Sequence, residues 1–137
     1  MVKFIIGTKG SGKTNKLIEM VNEAVKIDKG HIVFINDDSQ RHIFDLDYKI
    51  RLIDTQGYHM ASYKTLYGML CGIMSQDYDI SNIFIDSITK VVKNEDIAEA
   101  EGAIRDIEEL CEKNNVNLVI TASIAEADAP EFIKKYV

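Results

Sequence analysis

One stretch near the amino terminus constrains this chain more than any other. Gly7-Thr8-Lys9-Gly10-Ser11-Gly12-Lys13-Thr14 is a complete G-x-x-x-x-G-K-[ST] pattern. It follows a short apolar run over residues 2–6. It precedes a segment in which Leu17, Ile18, Val21, Ala24 and Val25 recur at helical spacing. A strand, a glycine-rich turn and a helix in that order build a phosphate cradle. The glycines let the backbone turn tightly and aim its N–H groups inward, and the helix start adds free donors and the positive end of its dipole. Lys13 supplies a charge within reach of β- and γ-phosphates, and the Thr14 hydroxyl is a hard oxygen ligand suited to Mg²⁺. Gly7, Thr8, Lys9, Gly10, Ser11, Gly12, Lys13 and Thr14 are therefore the expected nucleotide-binding residues, with Lys13 acting also on the reacting phosphates. The plain alternative is a glycine-rich turn with a chance Lys-Thr pair.

The rest of the chain continues the alternation. A helix is expected over residues 13–28, ended by Gly30. A strand follows over 31–35 and another over 49–53. The apolar face Tyr63, Leu66, Tyr67, Leu70, Ile73 and Met74 marks a helix over 62–76, in which Gly68 and Gly72 are costly unless they allow close packing on a sheet. A short buried strand covers 83–85, a strongly amphipathic helix 94–113, and a last strand 117–122. The tail from Pro130 suits one or two helical turns. Strands alternating with helices imply a three-layer α/β/α domain over residues 1–137, with a five-stranded, mostly parallel sheet that binds ligands at the carboxyl ends of its strands.

Composition narrows the function classes. The 137 residues carry 16 Lys plus Arg against 22 Asp plus Glu, a net charge of −6, which argues against tight nonspecific nucleic-acid binding. No apolar run is long enough for a membrane helix. The loop pattern begins after one short strand, so no signal peptide is expected, and Cys71 and Cys111 read as reduced thiols of a cytoplasmic protein. His31, His42 and His59 lack ligand spacing, which argues against zinc.

Three further positions bear on chemistry. Asp86 ends the apolar run Ile83-Phe84-Ile85 and is expected beside the loop, positioning Mg²⁺; capping the next segment is its alternative role. The residue after it is Ser87, not the Glu that polarises water in several large ATPase classes. Asn36-Asp37-Asp38 ends the second strand, and Asp37 or Asp38 is the candidate to orient or deprotonate water, or else a solvated turn acid. Thr121 and Ser123 end the last strand, where they either sense the γ-phosphate or cap the strand.

Together these residues resemble the RecA-like ATPases. The run Ile85-Asp86-Ser87-Ile88-Thr89 is similar to that family's second motif, residues 116–122 to its next core strand, and Asn36-Asp37-Asp38 falls where the family carries a catalytic carboxylate. The resemblance spans residues 2–124 and implies ATP and Mg²⁺ as ligands. The chain departs from the family in offering Asp where Glu is usual, and in lacking its extra strands, polymerisation segment and basic DNA-binding loops. None of the arginines, Arg41, Arg51 and Arg105, lies in a recognisable finger motif. The expectation is an ATP-binding, Mg²⁺-dependent NTPase with slow intrinsic hydrolysis, stimulated by a protein partner or homo-oligomer that supplies an arginine. A nucleotide-gated switch with little turnover and a small-molecule kinase are the alternatives.

Overall fold

The computed structural model describes residues 1–137, apart from the side chain of Ser39. The strands are β1 (Val2–Gly7), β2 (His31–Asn36), β3 (Arg51–Asp54), β4 (Ile80–Ile85) and β5 (Asn117–Ser123). They form one sheet in the order β1-β5-β4-β2-β3, and every pairing is parallel. The helices are α1 (Lys13–Ile27), α2 (Tyr63–Gln76), α3 (Ile88–Val92), α4 (Glu101–Asn114) and α5 (Glu131–Lys134).

Side chains of consecutive strand residues point to opposite faces, so runs with few charges bury both. On one face Phe4, Val33, Ile35, Ile83, Ile85, Leu118 and Ile120 pack against α2, α3, α4 and α5. On the other, Ile5, Ile32, Phe34, Phe84 and Val119 pack against Leu17, Ile18 and Val21 of α1 and against Leu46 and Ile50 of the segment between β2 and β3. The result is a three-layer α/β/α fold with a fully parallel five-stranded sheet. Among the described residues, no helix is long and apolar enough to cross a membrane.

Local differences from expectation have local causes. The expected helix over 94–113 is a 3-10 turn, Ile97–Ala100, followed by α4; the Asp96 carboxylate accepts from the Ala98 N–H and starts the turn. β4 begins at Ile80, three residues earlier than its apolar core suggests. Its polar residue Asn82 donates to the Asp28 carboxylate at 2.8 Å, so polarity there reflects a side-chain bond rather than a turn. β3 runs over Arg51–Asp54, two residues later than expected at its start. α3 is a single short helix held by buried Ile88, Val91 and Val92. Nothing lies within 4 Å of where a Cβ would stand at Gly68 or Gly72, so neither serves close packing.

Candidate active site

The carboxyl ends of β1, β2, β4 and β5 meet around one cavity of about 380 Å³. The loop after β1 contributes Lys9, Gly10, Gly12, Lys13 and Thr14. The end of β2 contributes Asn36, Asp37 and Asp38, and the turn beyond it Arg41 and His42. The turn after β4 contributes Asp86 and Ser87, α3 contributes Lys90, and the end of β5 contributes Ser123.

The loop is shaped by its glycines. Gly10 and Gly12 have φ of 83° and 86°, left-handed values that side chains disfavour, and Gly12 immediately precedes α1. Lys13 folds over the loop, its Nζ donating to the Thr8 carbonyl at 2.9 Å. Burial pulls its ammonium below the usual lysine value; Asp86 opposes this shift, and the nearby charge of Lys90 adds to it.

Asp86 is the best-held acid of the site. It is 7 % exposed and receives hydroxyl donors from two other elements. Thr14 Oγ1 lies 3.1 and 3.2 Å from its two carboxylate oxygens, and Thr121 Oγ1 donates to Oδ1 at 2.8 Å. The same Thr121 oxygen accepts the Ser87 N–H at 2.7 Å. The hydroxyl of Thr121 is thus committed on both sides and lies beneath the cavity. Ser123, two residues on, lines it instead. Gly7, Thr8 and Ser11 likewise shape the loop rather than line the cavity.

The end of β2 separates the candidate acids by depth. Asn36 is 3 % exposed, Asp37 half-buried and Asp38 exposed. Asn36 Nδ2 donates to the Asp38 carbonyl at 3.1 Å, while its Oδ1 is buried without a hydrogen-bond partner at the cavity. Sequence reasoning passed over this residue because an amide carries no charge. It also missed Lys90, which sits on the unexpected α3, and the place of the exposed Arg41 on the cavity lining.

Electrostatically the cavity inverts the chain. The molecule is net negative, yet Lys9, Lys13, Arg41 and Lys90 face Asp37, Asp38 and Asp86 here. Such a lining suits an anion carried with a cation. Thr14 and Asp86 fit a magnesium ion in donor chemistry, since both offer hard oxygens. They also fit in spacing, because neighbouring ligands of an octahedral ion with bonds of about 2.0–2.1 Å stand about 2.9 Å apart.

A second titratable cluster lies at the amino ends of the strands, away from this cavity. His31 Nδ1 and Arg51 Nη1 both bond Asp77 Oδ2, at 2.7 and 2.6 Å. The His31 hydrogen bond is the main reason the Asp77 carboxyl lies below its usual value. Arg51 already pairs with the carboxylate oxygen that His31 bonds, so the cluster reads as an ion-pair network. Compared with known proteins, the chain matches no family model and no curated protein, so a functional reading rests on its own residues.

Proposed function

We propose that this chain is a P-loop NTPase with a RecA-like core that binds ATP with Mg²⁺ and hydrolyses it slowly to ADP and phosphate. The observation that carries the proposal is the meeting of Thr14 and Asp86. They are 72 residues apart in sequence and 3.1 Å apart in space, and with Lys13 they line a cavity that also holds Lys9, Arg41 and Lys90. A glycine-rich turn with a chance Lys-Thr pair does not require a buried carboxylate against its threonine.

In this reading the loop amides from Gly10 to Thr14 cradle the phosphates, and Lys13 leaves the Thr8 carbonyl for the β- and γ-oxygens. Thr14 and Asp86 would hold a magnesium ion, which would supply positive charge to offset that of the phosphate oxygens. Thr121 keeps the Asp86 carboxylate turned toward Thr14. Asp37 or Asp38 would orient the water, and the deeper burial of Asp37 supports it as the first choice. Cys111, buried with its thiol pushed up to about 11 by desolvation, is an unreactive core thiol.

One observation favours a second reading, a nucleotide-gated switch. The deepest polar group at the end of β2 is Asn36, and an amide can hold a water but cannot take its proton. Phosphate release and ATP binding, measured with Mg²⁺ and with EDTA, decide between the two. Slow Mg²⁺-dependent release supports the NTPase. Tight binding without release supports the switch, and release only with an added acceptor supports a small-molecule kinase. Lys13→Ala is expected to weaken ATP binding at least about tenfold, the loss of one charge-assisted phosphate contact. Unchanged binding would remove Lys13 and its loop from the nucleotide site, and a parent that binds no ATP would remove the nucleotide from the proposal altogether.

A further inference from the structure

Of the three arginines, two are spent on ion pairs. Arg51 bonds Asp77 at 2.6 Å and Arg105 bonds Glu101 at 3.1 Å. Arg41 alone has no side-chain partner among the described residues, and it alone lines the cavity.

Its placement is built. Arg41 stands on the 3-10 turn Ser39–His42, whose backbone is closed by Arg41 N–H donating to the Asp38 carbonyl at 3.3 Å. The segment beyond is strapped to α1. Leu46 and Ile50 are buried against that helix's apolar face. Asn22 of α1 holds the strap with both ends of its amide: Nδ2 donates to the Asp45 carbonyl at 2.9 Å, and Oδ1 accepts the Asp47 N–H at 3.1 Å. α1 is the same helix that begins at Lys13, so the backbone that carries the exposed Arg41 side chain and the glycine-rich loop are referenced to one element.

We propose that Arg41 is a catalytic residue supplied in cis, its guanidinium binding the γ-phosphate of ATP and stabilising the charge that develops there in the transition state. The inference rests on the NTPase reading and replaces the partner-supplied arginine expected from sequence. As water attacks, a bond forms from its oxygen to the γ-phosphorus. The bond to the β–γ bridging oxygen breaks, and its electron pair leaves with ADP. The products are ADP, inorganic phosphate and a proton. A planar fork of N–H donors suits the equatorial oxygens of that centre better than a lysine does.

The test compares binding of ADP with that of a non-hydrolysable ATP analogue, both with Mg²⁺, in the parent, R41A, R41K, K13A and R105A. The parent is expected to prefer the analogue about tenfold or more, a margin typical of one charge-assisted phosphate contact. R41A should bring that ratio to near one while leaving ADP affinity within about twofold, R41K should restore it only in part, and R105A should keep the parent ratio. Phosphate release should fall about a hundredfold or more in R41A, and mixing R41A with K13A should not rescue it. An R41A protein that keeps the parent ratio overturns the proposal, as does rescue in the mixture, which places the arginine in trans. A parent that binds both nucleotides equally, with K13A abolishing binding, removes Arg41 and leaves the NTPase reading standing. A parent that binds neither removes both.

Discussion

Thr121 shows how much one hydroxyl can settle. Its side chain has no exposure, and the oxygen both donates to Asp86 and accepts from the Ser87 amide. Thr121→Val keeps the shape and removes both bonds, leaving the part-buried Ser87 N–H without its acceptor and Asp86 Oδ1 with Thr14 as its one remaining hydroxyl donor. A loss of about 1–3 kcal/mol is expected in urea unfolding, with Thr121→Ser close to the parent. Thr121 and Ser123 look equivalent in sequence, since alternation places both on the same side of β5. Depth along the strand separates them, and only the packed sheet reveals depth. The same holds at the end of β2, where Asn36 is more deeply buried than the acids that follow it.

At the level of elements, α2 carries two avoidable weaknesses. Gly68 and Gly72 are exposed helical positions with open space where a Cβ would stand. Gly68→Ala and Gly72→Ala should each stabilise the protein by about 0.4–1 kcal/mol, by restricting the unfolded chain and favouring the helix. A rise in the denaturation midpoint with an unchanged urea slope is the expected readout. Long elements with a clear period, such as α1 and α2, were legible to within a residue or two. The short α3 was not. Its Ile88, Val91 and Val92 do recur at helical spacing, but five residues rich in β-branched side chains have no helix preference of their own, and the buried face beneath β2 and β5 supplies it. Lys93 then ends α3 in the left-handed region and reaches back to the carbonyls of Thr55, Gln56 and Tyr58 at 2.8, 3.2 and 2.6 Å. No local pattern announces that contact.

For the whole molecule, the alternation of strand and helix was enough to read a layered parallel sheet, because that arrangement buries five apolar runs on both faces. The meeting of Lys13, Thr14 and Asp86 at the strand ends was legible for the same reason, since parallel order brings carboxyl ends together. Arg41 was not, because its direction depends on a strap whose course is set by Leu46, Ile50 and Asn22. The sheet order has one more effect. β1, which carries the glycine-rich loop, lies at the sheet's edge, paired only with β5, and on its open side the Phe4 amide donates to the Tyr136 carbonyl at 2.8 Å. An edge strand can detach without breaking the centre, so its amides should exchange with deuterium through a partial opening, while those of β4 await global unfolding. A ligand gripped by the loop binds only the closed edge. At about a hundred times its dissociation constant, MgATP should slow exchange across β1 by up to about a hundredfold, well beyond its effect on β4. Equal slowing in both strands would mean that the sheet opens as one unit. In the first case, nucleotide occupancy doubles as the clamp on the sheet's own margin.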